Sequence, residues 1–249
     1  YKITYYTIIG FILFFILLHA LKDDCLYTSK RFNNIMSLIL MCIVIIFFGL
    51  RDPMGDWRYL GDTSNYTILF NHFDPSVHKY EPGVNILMKF GIDFLNIRLF
   101  YVLCACLYII PVYIAFRKWF QNYAFYALAI HISMLSFWGY GINGIRNGLA
   151  ASIFIFSFLF YEKKPAMFLF MLISVTFHNS MIVPLLAFIV SLFYKNTRIY
   201  TAIWFLSVIF SLFFGSVIEN LPFHSLISSG GRIDHFFVNE LEGETVQRG

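Results

Sequence analysis

The sequence predicts an all-α, polytopic integral membrane protein. Hydrophobic residues make up 59% of the 249 residues and charged residues only 13%, about half the charged share of an ordinary soluble domain. A single soluble core of this size cannot hide so much apolar surface. The apolar residues also form separate runs, most of them near the ~20 residues that cross a bilayer as a helix. A secreted disulfide scaffold, a nucleic-acid-binding protein and a disordered chain are therefore disfavoured.

The apolar runs form a predicted single transmembrane domain, residues 1–220. They cover 3–21, 35–50, 97–116, 123–142, 145–161, 166–194 and 199–218. The first run has the length of a full span and no cleavage signature, so it is interpreted as a retained helix. The polar tail 221–249 is interpreted as a truncated end.

Basic residues predict the orientation of these spans. Nine of the 18 lysines and arginines lie in four short connections, at 22–34, 117–122, 161–165 and 195–198. The positive-inside rule places all four connections in the cytoplasm, so the chain is expected to be a multi-pass membrane protein.

The run 166–194 is then predicted to be a short, outer-facing hairpin. Both of its ends face the cytoplasm, and it is too short for two full spans. Each arm is about 20 Å long at 1.5 Å per residue, whereas the hydrocarbon core is about 30 Å thick. The turn at His178 should therefore lie inside the outer half of the membrane. With this hairpin the chain has about eight membrane helices.

The outer loop 51–96 contains several candidate functional residues. Its apolar stretch 83–95 is too short to span and is interpreted as a helix on the outer leaflet. Arg51 directly follows the second apolar run. It is either a snorkelling arginine that ends a span or a clamp for a phosphate or carboxylate.

Two acidic residues of this loop precede predicted helices. Asp62 either caps a helix that begins at Thr63 or acts as a base or sugar-hydroxyl acceptor. Glu81, between Tyr80 and a Pro-Gly pair, either stabilises a helix start or faces a cleft.

The turn at 143–148 gives the most informative pattern. Arg146 lies in the first turn of a predicted helix, where the positive end of the helix dipole disfavours a cation. We expect its guanidinium to have no partner within the protein, so that its removal would cost little stability. The pattern is explained if arginine and helix end together bind an anion, ideally a phosphate; the alternative is a solvated interfacial arginine. Trp138, just before the turn, belongs either to an aromatic belt or to a sugar platform.

His178 is the polar residue that the predicted hairpin places within the membrane. Such residues are costly there, which favours a functional role; the alternative is a histidine bonded to a neighbouring carbonyl. The sequence contains no HExxH motif and no clustered Cys/His spacing, so neither a metal nor another cofactor is expected.

An ordered set of short motifs resembles the EpsG family, over about residues 1–220. The motifs are GLR at 49–51, GDTxxY at 61–66, YEPG at 80–83, IRNGLA at 145–150 and FHNS at 177–180. Members of this family are bacterial Wzy-like polymerases of exopolysaccharide, capsule or O-antigen. They usually continue with further spans after the position of Leu221.

The resemblance implies a multi-span glycosyltransferase of the GT-C type in the bacterial inner membrane, with glycans linked to undecaprenyl diphosphate as substrates. A chain-length regulator and a flippase would be further partners. The residues that match the family's polar positions are Arg51, Asp62, Tyr66, Glu81, Arg146 and His178. No residue cluster requires a metal, so the enzyme is expected to be metal-independent. The expected roles are base for Asp62, Glu81 or His178, diphosphate binding for Arg51 and Arg146, and sugar binding for Tyr66, Tyr80, Trp138, Asn143 and Asn147.

Two other functions remain open on the sequence. A flippase or transporter of lipid-linked oligosaccharide would also use intramembrane arginine and histidine, but should have polar residues at both leaflets. A membrane O-acyltransferase would use His178 as its base, with an acyl donor that normally arrives from the cytoplasm. The predicted polar residues lie on the outer side, which favours the polymerase.

Overall fold

A computed structural model of the chain describes residues 30–55, 62–73 and 80–218, with isolated positions at 7, 10 and 60; in 211–218 it describes the backbone only. The polar tail and nearly all of the first predicted span lie outside the described residues. The chain divides into one unit that ends at Ile189 and a second that begins at Val190.

The regular elements in the described residues are all helical, which confirms the predicted all-α class. The α-helices are α1 (Lys30–Gly49), α2 (Thr63–Asn71), α3 (Pro82–Phe94), α4 (Ile97–Phe120), α5 (Ala124–Ser133), α6 (Leu135–Ile142), α7 (Ile145–Ser157), α8 (Lys164–Phe177), α9 (Ile182–Phe193) and α10 (Thr197–Ile218). Short 3-10 segments follow α4, α7 and α8, at Gln121–Tyr123, Phe158–Phe160 and Asn179–Met181.

Two helical stretches of the described chain are long and apolar enough to cross a membrane. They are α1 and the stretch Ile97–Ser133, which contains α4 and α5. A third is added if the bent pair Leu135–Ile142 and Ile145–Phe160, with an angle of 119° between its parts, forms one span. The chain is thus a helical membrane protein; the total of about eight membrane helices and the GT-C likeness stay predictions.

One predicted span, 123–142, is divided in the structure. Met134 has an extended conformation (φ −72°, ψ 135°) and separates α5 from α6. The indole nitrogen of Trp138 donates to the Ile132 carbonyl at 2.6 Å, and this bond satisfies a carbonyl that loses its helical partner at the break. The expectation of one continuous helix here is therefore wrong.

Close packing of α6 on α1 fixes the position of the turn that precedes α7. A Cβ at Gly141 would lie 2.4 Å from the ring of Phe48, so only glycine lets the two helices approach this closely. The ring of Phe48 also packs against Trp138 and Phe137, with centroids 5.2 and 5.6 Å away. The last turn of α6 is thereby held against the core.

The helices of the first unit meet at a basic end. Asn33, near the start of α1, donates from Nδ2 to the Gln121 carbonyl at 2.9 Å, and its Oδ1 accepts from the Phe125 amide at 2.9 Å. Lys118 donates to the Leu159 carbonyl at 2.9 Å. These bonds bring together the start of α1, the end of α4 and the end of α7, where many of the basic residues lie. The opposite end contains the start of α7 and the end of α8.

The segment 166–194 turns at His178, as the sequence predicts. α8 ends at Phe177, and α9 begins at Ile182 after the 3-10 turn. Phe168 and Phe188 lie ten residues before and after His178, and their ring centroids are 6.2 Å apart. The two arms therefore run back along each other, while the depth of the turn in a membrane stays a prediction.

The two ends of the bundle should lie on opposite sides of the membrane. Single cysteines at the exposed positions Asn179 and Lys163, in a chain without its four native cysteines, should react with a membrane-impermeant thiol reagent from opposite faces of sealed vesicles. Labelling of both positions from one face would contradict a membrane that crosses the bundle between these ends.

Candidate functional site

An ion pair joins two of the predicted site residues. Nη1 of Arg146 lies 2.7 Å from Oε2 of Glu81, and the two side chains are only 9% and 12% exposed. The guanidinium lies over the ring of Tyr80, with 4.9 Å from Cζ to the ring centroid, and donates a hydrogen bond to the hydroxyl of Tyr66. The structure thus brings four candidates together, and the expectation that Arg146 has no partner within the protein is wrong.

The start of α3 directs Glu81 toward this pair. Glu81 is the N-cap of α3 and has an extended backbone (φ −58°, ψ 144°), because the residue before a proline is pushed out of the helical region. Pro82 then opens the helix with a φ that suits its first turn. The carboxylate makes no cap hydrogen bond within its own helix, so it is available to Arg146.

Gly83 places the YEPG motif against the end of α8. A Cβ at this position would lie 2.6 Å from Oγ1 and 2.9 Å from the carbonyl oxygen of Thr176, so any other residue would push the two helices apart. Thr176 is two residues before His178. The glycine therefore lets the YEPG motif of the outer loop lie next to the turn of the hairpin.

The starts of two helices converge on the ion pair. Glu81 caps the N-terminus of α3, and Arg146 is the second residue of α7. Each helix N-terminus contributes roughly half a positive charge, and the guanidinium adds a full one. At the ion pair, one carboxylate therefore faces a guanidinium and two helix N-termini, while the end of α8 lies beside the start of α3.

Arg51 lies in a neighbouring and separate set of contacts. Its Nη1 donates to the carbonyls of Gly141 and Ile142, at 2.9 and 3.2 Å, and its guanidinium lies over the ring of Tyr101, 4.4 Å from the centroid. These carbonyls end α6 and have no helical partners, so a cation is favourable there. With 4% of its surface exposed, Arg51 holds the end of α6 in place.

A buried hydroxyl network supports this arrangement, and the sequence reasoning missed it. The Tyr101 hydroxyl donates to the Thr63 carbonyl at 2.7 Å and lies 2.8 Å from Oγ1 of Thr67. The Thr67 hydroxyl is also 2.7 Å from the carbonyl of Pro53. Two threonines spaced by four residues on α2 are the sequence signal that could have indicated this buried face.

Asp62 stands at the start of α2, as predicted, but its side chain does not cap the helix. Its backbone is helical (φ −70°, ψ −1°), and no side-chain cap hydrogen bond forms. The residue is exposed. Its carboxylate is therefore not used for the structural role that the sequence offered as the alternative to function.

His178 ends α8 and organises the following 3-10 turn. Its Nδ1 accepts a hydrogen bond from the Ser180 amide at 3.1 Å and lies 2.7 Å from the Ser180 hydroxyl. In both of these contacts the partner of the imidazole is the neighbouring Ser180.

The remaining sugar-binding candidates differ in their surroundings. Trp138 is 6% exposed, and its ring packs against Phe47 and Phe48, so a sugar would find no free ring face. Asn143 is the C-cap of α6 and is exposed. Asn147 follows Arg146 on α7, and its Oδ1 is buried without a hydrogen-bond partner.

Two small cavities lie beside the arginines, each with room for about one water molecule. Arg146 and Tyr66 line one cavity, and Arg51 lines the other; Cys104 and Ile145 line both. Neither of these two cavities has room for a diphosphate in this conformation. Among the described residues, no three His, Cys, Asp or Glu side chains come together as metal ligands would.

Removal of either member of the ion pair should destabilise the protein. Arg146→Ala and Glu81→Gln each leave one charge in a mostly buried site, at a cost of about 3 kcal/mol, the low end for a broken buried pair. The measurement is the thermal stability of the detergent-purified variants.

Arg98 provides the matched control for this measurement. It is also the second residue of a helix, α4, but it is exposed, so Arg98→Ala should change the thermal stability little. The double variant Arg146→Met/Glu81→Leu leaves no buried charge and should recover most of the loss. Wild-type stability of Arg146→Ala would contradict a structural ion pair.

Comparison with known proteins identifies the family. The model of the EpsG family matches residues 34–246, a range that contains all five motifs. No curated protein and no solved structure matches the chain. Because the match covers most of the sequence, the chain belongs to the EpsG family.

Proposed function

We propose that this chain is a glycosyltransferase that polymerises lipid-linked oligosaccharide repeat units. Membership of the EpsG family supports a role like that of a polysaccharide polymerase in general. The observation that supports the specific proposal is the buried Arg146 guanidinium, which meets two helix N-termini and only one carboxylate. A guanidinium and two helix N-termini are together suited to a ligand with more negative charge than one carboxylate.

A diphosphate fits this requirement. Its oxygens accept parallel hydrogen bonds from the planar fork of a guanidinium, and helix N-termini bind phosphate oxygens through their free amides. In an undecaprenyl-diphosphate-linked glycan the diphosphate joins the apolar chain to the first sugar. Binding it here would hold the anomeric carbon next to the ion pair.

The expected location of the site is the outer half of the inner membrane. The basic end of the bundle faces the cytoplasm by the positive-inside rule, and the ion pair lies at the opposite end. α8 has 14 residues, or about 21 Å at 1.5 Å per residue, less than the ~30 Å hydrocarbon core. Its end at Phe177 would then lie below the outer surface, where a lipid-linked diphosphate can reach it from the bilayer.

The diphosphate of the donor displaces Glu81 from Arg146 in the proposed mechanism. The freed carboxylate accepts the proton of a hydroxyl on the incoming repeat unit. The hydroxyl oxygen forms a bond to the anomeric carbon of the donor as the bond from this carbon to the diphosphate oxygen breaks. Arg146 and the two helix ends stabilise the charge that develops on the leaving diphosphate.

The other candidates take supporting roles in this proposal. Tyr66 and Tyr80 position the guanidinium, and Arg51 positions the turn before α7 through the end of α6. Asp62, exposed at the start of α2, and His178, at the hairpin turn, bind the incoming acceptor; Asn143 and Asn147 lie at the donor side. Trp138 has no role in the proposed mechanism because its ring is buried.

Flippase and O-acyltransferase activities are the alternatives that product analysis separates. A polymerase gives longer glycans, a flippase gives translocated lipid with unchanged glycan length, and an acyltransferase gives acylated sugar. A chain-length regulator and a flippase would be the partners of a polymerase.

Polymer formation should depend on the ion pair far more than on a matched surface arginine. In cells that lack the chromosomal copy, Glu81→Gln should reduce polymerisation by about 10²–10⁴-fold, the usual cost of a lost general base. Arg146→Lys should also lose most polymer, because lysine keeps the charge but lacks the planar fork. The measurement is glycan length by gel, at equal membrane levels of each variant.

Arg98→Lys is the control and should make polymer of normal length. Full-length polymer from Arg146→Lys would contradict a bidentate diphosphate site. Normal polymerisation by Glu81→Gln would instead assign the base to Asp62 or His178.

A further inference from the structure

Asn85 on α3 has a buried hydrogen-bond acceptor that no described residue uses. Its Nδ2 donates to the Tyr80 carbonyl at 3.1 Å. Because a carbonyl needs a donor, this bond fixes the orientation of the amide and excludes the flipped form. The Oδ1 is then buried and has no hydrogen-bond partner among the described residues.

A buried amide oxygen without a partner is rare in proteins. Most buried polar atoms have at least one partner, and leaving one unsatisfied costs free energy. Such an atom needs an explanation from function or from a bound molecule.

The position of Asn85 points to the proposed catalytic site. It lies in the first turn of α3, and its backbone amide donates to the carbonyl of Glu81 at 3.1 Å. Its bond to the Tyr80 carbonyl also holds the residue whose ring stacks on Arg146. Asn147, the residue after Arg146 on α7, has a second buried Oδ1 without a partner among the described residues. The two helices that carry the ion pair, α3 and α7, thus each contain one such amide oxygen.

We infer that Asn85 is a glycan-recognition residue: its Oδ1 accepts a hydrogen bond from a hydroxyl of the sugar attached to the diphosphate. This inference rests on the proposed function. An amide oxygen repels phosphate oxygens, which are acceptors themselves, but it suits a sugar hydroxyl, which can donate. The guanidinium thus binds the diphosphate and the asparagine binds the sugar next to it.

The inference separates recognition of the sugar from recognition of the diphosphate. Farnesyl diphosphate carries the diphosphate and an apolar chain without any sugar. The lipid-linked repeat unit, extracted from cells without polymerase, carries both. Asn85→Leu removes the acceptor at nearly constant volume, so it should weaken binding of the repeat unit about tenfold, the upper range for one hydrogen bond. The same variant also removes the Nδ2 donor to the Tyr80 carbonyl, so any loss of affinity for farnesyl diphosphate should be far smaller than the loss for the repeat unit.

Asn96 provides a matched control asparagine. Its Oδ1 already accepts from the Leu99 amide at 2.9 Å as the N-cap of α4. Asn96→Ala should lower thermal stability, as a lost cap does, and should leave the ratio of the two ligand affinities unchanged.

The experiment measures both affinities on purified wild type, Asn85→Leu and Asn96→Ala. An equal loss for both ligands in Asn85→Leu would overturn the inference, because Asn85 would then act through the structure of α3. Unchanged affinity of Asn85→Leu for both ligands would also overturn the inference, and the Oδ1 of Asn85 would then accept a hydrogen bond from an ordinary buried water. If the wild type bound neither ligand, the proposed function itself would fail.

Discussion

The buried ion pair between Arg146 and Glu81 is the interaction on which the candidate site depends. A guanidinium placed within a membrane protein is costly unless it has a partner, and here the partner comes from a segment 65 residues away in the chain. Both members stand at helix starts, so the pair also sets how α3 and α7 meet. The same geometry places the guanidinium beside two helix N-termini, which is why we propose that a structural contact also serves as an anion site.

The five family motifs and the residues packed against them have different physical tasks around this pair. Glycines allow close approach, as Gly83 does against Thr176 and Gly141 against Phe48. Arg51 and the hydroxyl network of Thr63, Thr67 and Tyr101 hold α2 and the end of α6. Arg146, Glu81 and their close neighbours stand where the chemistry is proposed. Segments that are far apart in the sequence therefore cooperate by fixing two helix ends within hydrogen-bond distance.

The sequence predicts the helical class, the helix that begins near Pro82 and the turn at His178, because apolar length and basic connections leave few alternatives. It cannot predict which charge pairs with Arg146, since that choice depends on tertiary contacts. A cation in the first turn is also a weak signal: Arg98 shares the pattern and is exposed. The break at Met134 and the unused oxygen of Asn85 leave no mark in the pattern, because both arise from the packing of neighbouring segments.

The most direct test of this account is the affinity of the purified protein for farnesyl diphosphate, compared between wild type, Glu81→Gln and Arg146→Gln. If Glu81 occupies the place of the diphosphate, its neutralisation removes a competing anion. Glu81→Gln should then bind the ligand about tenfold more tightly, or about 1.4 kcal/mol, although it does not polymerise. Arg146→Gln should not bind. Equal or weaker binding by Glu81→Gln would contradict the displacement of Glu81 and would reduce the ion pair to a structural contact.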